Sequence, residues 1–289
     1  MQPGRSLPTH VDARSGNGPH GVDTAWPKLP RGERAASDTT VTPLVRGLSI
    51  LSVFAPDKAA LGNLEIARAT GIPAPTVLRL LKSLVALGYL HQDKTSRKYS
   101  LAAASLALGY AAIADPDLQR LAGIEMRKLA EATDTYVLLG TRERLDILIL
   151  DTRIGSRAVL DLRLRPGMRM HIAYSLMGWA LLAVLPEAER SYLLGELERH
   201  PDDNWPIIGR RMHEKIAQVR ELGFGMLHGD WEPELACVAA PVPLPDRPPL
   251  VLGCVGRTGR LAQARLEREL GPRLVAIAQT LRARVPIPV

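Results

Sequence analysis

The sequence predicts an α+β protein in two parts. A winged helix–turn–helix module covers residues 41–101. Beyond a connecting helix at 102–115, a larger domain of strands interleaved with helices covers 116–289. Three observations carry this reading. The chain has 289 residues, enough for two independently buried cores at roughly 100–200 residues each. Between Val41 and Leu101 three short apolar periodicities at helical spacing precede a strand–turn–strand pattern. The charge is concentrated in the same block. Residues 41–110 hold eight basic residues (Arg46, Lys58, Arg68, Arg79, Lys82, Lys94, Arg97 and Lys98) against three acidic ones, which is most of the net charge of +7. Such a local excess suits phosphate neutralisation, although a solvated basic face gives the same count.

Residues 1–40 are rich in Gly, Pro, Ser, Thr and Asp and lack periodicity, so they read as a disordered tail that cannot offset its ordering entropy by burial. Leu44, Val45, Leu48, Leu51 and Val53 then mark a first helix, ended by Ala55-Pro56-Asp57. Leu64, Ile66 and Ala67 mark a second, closed by Thr70-Gly71-Ile72-Pro73. Pro75 suits the first turn of a third helix and Gly88 its C-terminal cap. Tyr89–His91 and Lys98–Leu101 flank a polar turn and read as a hairpin. Residues 102–114 suit an Ala/Leu-rich connecting helix, whose apolar face a small module cannot bury alone and which therefore suits self-association. After Asp115-Pro116 an amphipathic helix places Leu118, Leu121, Ile124, Met126 and Leu129 on its apolar side. Strand-like runs follow at Tyr136–Leu139, Leu145–Leu150 and Ala158–Leu162. Helices follow at 175–185 and 209–222, two further strands at Ala236–Val242 and Leu250–Gly256, and a last helix at 260–284.

In a winged helix–turn–helix the third helix enters the major groove and its first turn faces base edges. Here Thr76 and Arg79 lie three apart on one face, and Lys82 continues that face. An arginine can pair bidentately with guanine, and a threonine can reach a phosphate or a thymine methyl. Val77, Leu80, Leu81 and Leu84 take the opposite, core-facing side. Lys94, Arg97 and Lys98 on the hairpin, with Arg46 on the first helix, complete the candidate contacts to double-stranded DNA. The competing reading is a helical module that binds protein, in a scaffold or a non-catalytic small-molecule sensor.

Several ordered motifs resemble the IclR family of bacterial transcriptional regulators. They are Val45-Arg46-Gly47-Leu48-Ser49-Ile50-Leu51, Leu64-Glu65-Ile66-Ala67, Thr70-Gly71-Ile72-Pro73, Thr76–Leu81, Leu87-Gly88-Tyr89-Leu90 and Tyr99-Ser100-Leu101 in the first part. Arg165–Arg169, Met177–Ala183, Glu221–Phe224 and Val238–Val242 follow in the second. The likeness covers nearly the whole chain past residue 40. It implies a dimer or tetramer that represses or activates a catabolic operon, and a GAF-like C-terminal domain that binds a small molecule. Pro75 stands where the family usually has a hydroxyl residue, which shifts base readout toward Thr76 and Arg79. Trp179 stands where Lys or Arg is usual.

The resemblance also implies an effector site. Its loop corresponds to Ile172-Ala173-Tyr174-Ser175, with Met177 and Gly178 opening the next helix, and Leu227, Trp231, Cys237 and Cys254 stand on the opposing wall. A helix start offers free N–H groups to a carboxylate, and Ser175 adds a hydroxyl or simply caps that helix. Leu227 occupies a position that is often acidic in the family, which points to an apolar or aromatic organic acid. Trp231 equally suits packing under a loop. Cys237 and Cys254 equally suit buried small hydrophobes, and an oxidation switch between them has no support in the sequence.

Two cysteines are too few for a disulfide scaffold or a zinc finger, which suits a reduced cytoplasmic setting. His171 and His228 lack ligand spacing, so no metal or other cofactor is expected. The longest apolar run, Leu176 to Leu185, stops at Pro186, well short of the about 20 residues that cross a bilayer. No nucleophile elbow, phosphate loop, dinucleotide fingerprint or zinc helix is present, and Cys237 near His228 lacks anything to orient a base, so no enzyme is expected.

Overall fold

The computed structural model describes residues 41–56, 58–112, 116–158, 162, 164–199, 205–230 and 232–284. The expected tail over 1–40 lies outside these residues, as does Trp231.

The N-terminal module packs α1 (Thr42–Leu51), α2 (Asn63–Thr70) and α3 (Ala74–Ala86) against the hairpin of β1 (Leu90–Gln92) and β2 (Tyr99–Leu101). Its core is its own: Ile50, Phe54, Ile66, Val77, Leu81, Leu90 and Tyr99 are buried together. Leu61 exchanges backbone hydrogen bonds with Tyr99, at 2.8 and 2.9 Å, adding a third short strand edge. Helix α2 starts with the Glu65 carboxylate accepting from the Gly62 N–H at 2.7 Å. Helix α3 ends in a Schellman turn: Tyr89 N donates to Leu84 O, Gly88 N donates to Val85 O, and Gly88 sits at φ +78°, where a side chain would be strained. The apolar residues of α1 divide between two faces. Ile50 turns inward, while Leu44 and Leu48 stay 61% and 55% exposed.

Helix α4 (Ala103–Ala112) leaves the hairpin with Ser105 Oγ donating to Tyr89 O at 2.8 Å, and it exposes Leu106 and Leu108. The larger domain is a six-stranded antiparallel sheet. Its strands are β3 (Tyr136–Glu143), β4 (Asp146–Ile154), β5 (Arg169–His171), β6 (Gly225–His228), β7 (Leu235–Val242) and β8 (Leu250–Arg257), in the order β5-β4-β3-β8-β7-β6. Helix α5 (Pro116–Thr133) and helix α10 (Gly271–Arg284) cover one face, where Met126, Leu129, Val238, Leu252, Cys254 and Leu274 are buried. Helices α6 (Leu176–Val184), α7 (Glu187–Arg199) and α8 (Trp205–Leu222) cover the other with Leu138, Ile149, Leu181, Leu193, Met212 and Cys237. Burial on both faces explains why β7 and β8 read as near-continuous apolar runs rather than alternating ones. Helix α9 (Gln263–Arg265) and a π-helical turn (Leu266–Leu270) lead into α10.

The fold differs from expectation at several elements. The short edge strands β5 and β6 and the whole of α7 were not anticipated, because α7 is charged and buries little beyond Leu193, Leu197 and the aliphatic stem of Arg190. Ala158 and Leu162 are not in a strand, and the residues between them lie outside the description. Ile124 faces solvent rather than the apolar side of α5. Helix α8 starts earlier, at Trp205.

Candidate nucleic-acid interface and effector cavity

On α3 the structure places Arg79 and Lys82 in solvent and Thr76 half-buried, while Val77 and Leu81 are fully buried against α1 and α2. Leu80 and Leu84 are partly buried in the same core. Leu78, which the sequence reading left out, is 40% exposed on the outward side of the first turn. An apolar side chain there suits a thymine methyl. Arg46 is exposed on α1. The hairpin turn is built by Asp93, whose carboxylate accepts from Thr95 N, Ser96 N and Ser96 Oγ. The bonds from Ser96 hold this carboxyl below its usual range. Arg97 closes the turn at φ +58°, and Lys94, Arg97 and Lys98 are all exposed. Lys98 is not simply a phosphate-facing cation: its Nζ lies 3.9 Å from Glu65 Oε2, a half-exposed pair of small energetic weight.

In the larger domain a cavity of about 100 Å³ opens between the sheet and the start of α6. Its floor is apolar, with Leu138, Leu227, Cys237, Ala239, Gly253 and Val255 from four strands. Its roof comes from Met170, Tyr174, Ser175, Met177 and Trp179, and α8 closes one side with Ile208 and Arg211. Ser175 is the N-cap of α6, its Oγ accepting from Gly178 N at 3.0 Å, so its hydroxyl proton stays available to a ligand. Trp179 Nε1 donates to Ala173 O at 2.9 Å and pins the short 3₁₀ turn (Ile172–Tyr174) to α6. Met177 lies over two central strands at Gly140 and Gly253. A Cβ on Gly253 would stand 2.7 Å from its sulfur.

Of the nine residues expected at the effector site, Tyr174, Ser175, Met177, Leu227 and Cys237 line this cavity. Ile172 and Gly178 support it from behind. Ile172 is fully buried, and a Cβ on Gly178 would lie 2.3 Å from its carbonyl oxygen, so glycine is required for close packing rather than for ligand contact. Cys254 is not on the opposing wall. It pairs with Val238 while Cys237 pairs with Val255, so the two thiols point to opposite faces of the sheet, and no disulfide can join them without unpairing the strands. Its Sγ instead lies 3.0 Å from Thr135 Oγ1. Arg211 and Trp179 were missed. Arg211 carries no local signal beyond one charge on a helix, and Trp179 stands out only as a residue placed where Lys or Arg is usual. Among the described residues no cluster of three or more His, Cys, Asp or Glu is placed to hold a metal, and no helix is long and apolar enough to cross a membrane.

Burial pushes the Cys237 thiol up to about 12 and the Cys254 thiol up to about 11, both from an ordinary 9.0. Raised values mean that the folded chain keeps both thiols neutral where the unfolded chain ionises them. Their contribution to stability is therefore complete below pH 9 and lost as pH climbs from 9 through the folded values. Urea denaturation between pH 9 and 11 should show Cys254→Ala losing stability more gently than the parent, by about 1 kcal/mol per pH unit. Parallel pH slopes would mean that Cys254 ionises freely in the fold.

A basic winged helix–turn–helix joined by a helix to a sheet domain enclosing an apolar cavity defines a class: a transcriptional regulator with its own small-molecule sensor. The comparisons agree. The model of the IclR helix-turn-helix domain matches residues 43–94, and that of the bacterial transcriptional regulator IclR C-terminal domain matches residues 110–283. The chain is 30% identical over 244 residues to the HTH-type transcriptional regulator TsaQ1/TsaQ2 of Comamonas testosteroni, spanning 84% of this chain and 87% of that protein. The crystal structure of an IclR family transcriptional regulator from Brucella abortus superposes with a TM-score of 0.75 and 33% identity, covering 93% of this chain and all of that one. An IclR homologue from Microbacterium hydrocarbonoxydans, solved in complex with 4-hydroxybenzoate, shares the fold at a TM-score of 0.68 and 19% identity, over 83% of this chain and 98% of its own. The chain belongs to the IclR family. These families and relatives are transcriptional regulators, which bind operator DNA and small-molecule effectors, and are not enzymes.

Proposed function

We propose that this protein is a cytoplasmic, ligand-responsive regulator of a catabolic operon that senses a small aromatic carboxylic acid. Residues 41–101 act as the DNA-binding domain, 102–115 as the linker and 116–289 as the effector domain. The observation that carries the ligand reading is the cavity itself: a largely apolar floor, with polar groups gathered at the start of α6 and on α8. Its volume is of the order of the ~150 Å³ void that admits a benzene ring. The N–H groups of Leu176 and Met177 belong to the first turn of α6, which has no intrahelical acceptor for them, so they suit a carboxylate. The apolar floor suits a ring, since a second polar group there would lose its hydrogen bonds. The 4-hydroxybenzoate found in the Microbacterium homologue fits this class of ligand but belongs to that protein.

On the DNA side, Thr76 and Arg79 face bases, with Arg46, Lys82, Lys94, Arg97 and Lys98 on phosphates. The exposed Leu44 and Leu48 of α1 and Leu106 and Leu108 of α4 support pairing of two chains, which would set two α3 helices on a roughly palindromic site. The upstream region of the neighbouring operon supplies the test duplex. Sedimentation of the full chain with this duplex should give two chains per site. Millimolar benzoate should shift the DNA affinity, and Trp179 on the cavity roof should report its binding by quenched fluorescence. Monomeric chains that hold the duplex with unchanged affinity in benzoate would refute the reading.

A further inference from the structure

The cavity carries one charge that its apolar floor does not explain. Among the described residues lining it, Arg211 is the only lysine or arginine, and no aspartate or glutamate lines it. Arg211 Nη1 donates to the backbone oxygen of Asp230 at 2.7 Å, in the loop that joins β6 to β7. The Asp230 carboxylate is engaged elsewhere, accepting from His228 N at 3.1 Å. A carbonyl fills one of five guanidinium donor positions but leaves the charge uncompensated. Among the described residues no carboxylate pairs with Arg211. His171, the other nitrogen base at the cavity, accepts from Ala173 N through Nδ1 at 3.4 Å.

We infer that Arg211 is the specificity-determining residue of this cavity and selects a monocarboxylate. The inference rests on the reading of the cavity as the effector site and names what that site discriminates. The start of α6 offers partial charges and N–H groups, whereas Arg211 supplies the formal charge that separates an acid from an amide of the same shape. One cation balances one carboxylate. A second carboxylate would lie among Leu138, Leu227 and Val255 with nothing to compensate it. Because Arg211 also holds the Asp230 carbonyl, the bound acid sits under the β6–β7 loop.

Calorimetry on the full chain with matched pairs tests this: benzoate with benzamide, hexanoate with hexanamide, and phthalate as the dianion. The parent should prefer the acid of the fitting pair at least tenfold over its amide and should reject phthalate. Arg211→Gln deletes the charge and keeps an amide N–H, on a side chain two bonds shorter than the one that carries Nη1 to the Asp230 carbonyl. It should weaken acid binding by about 10–100-fold, leave amide binding unchanged and bring the pair within about twofold. Arg211→Lys should recover part of the preference. An acid preference that survives in Arg211→Gln overturns the role of Arg211 while leaving the cavity reading intact. Failure of every compound to bind the parent at millimolar concentration overturns the cavity reading and the role of Arg211 with it.

Discussion

Gly178→Ala should destabilise the larger domain by about 3 kcal/mol or more and abolish ligand binding, while the N-terminal module stays folded. The new Cβ would stand 2.3 Å from Ile172 O, and 2.7 Å from both Ile172 Cα and Cγ1. None of these is the free end of a flexible side chain. Ile172 is fully buried, and its N–H donates to Leu145 O at 2.8 Å, so the 3₁₀ turn cannot retreat. Moving α6 instead breaks two bonds at once, the Ser175 cap to Gly178 N and the Trp179 bond to Ala173 O. Overpacking at such a site reaches or exceeds the top of the ~1–3 kcal/mol usual for inserted methyl groups. That is a large share of a domain stability of about 5–15 kcal/mol. Gly195→Ala is the control, because a Cβ on this α7 glycine meets nothing within 4 Å. It should stabilise by about 0.5–1 kcal/mol through helix propensity alone. Urea denaturation followed by tryptophan fluorescence separates the two signs, and equal shifts for both variants would contradict the packing argument.

Elements whose burial matches one simple period were legible in the sequence. Helix α3 has a proline start, an apolar stripe through Val77 and Leu81, and a glycine stop, and each signal agrees with the others. Strands β7 and β8 were legible differently, as continuous apolar runs, because both their faces are buried. The face on which Cys254 lands was not legible. Partners in the β7–β8 pair share parity, since Cys237 meets Val255 and Val238 meets Cys254, so an odd and an even residue face opposite ways. A turn one residue longer or shorter would reverse that parity, and nothing local in the sequence fixes it. Arg211 was invisible for a related reason. It stands at the border of the Ile208–Met212 stripe of α8, and only the tertiary fold brings the Asp230 loop and the cavity to it. Gly178 shows the reverse case. The sequence resemblance marked it for the ligand, and the structure assigns it to packing.

On the DNA side, Arg79→Ala and Lys98→Ala should fail in different ways. Arg79 is exposed on the outward face of α3, three residues from Thr76 and next to the exposed Leu78, where a major-groove helix meets base edges. Its loss should cost about 1–3 kcal/mol on the cognate site, roughly 5–150-fold, and relax preference at one base pair per half-site. Lys98 stands on the hairpin and already shares its charge with Glu65 at 3.9 Å. Removing it deletes a phosphate contact and leaves the Glu65 carboxylate, still accepting from the Gly62 N–H, without a cation beside it. Binding should therefore weaken about equally on cognate and scrambled duplexes, and the slope of log K against log salt should become shallower by about one. A double-mutant comparison sharpens this. Glu65→Gln in the Lys98→Ala background should recover part of the non-specific loss, because the repelled carboxylate is gone, yet it should do nothing for Arg79→Ala specificity. Fluorescence anisotropy titrations over a salt series, with single-base variants of each half-site, read all of these outcomes. Equal, sequence-blind losses from both single substitutions would place Arg79 on the phosphates and leave Thr76 and Leu78 as the groups on α3 that read sequence.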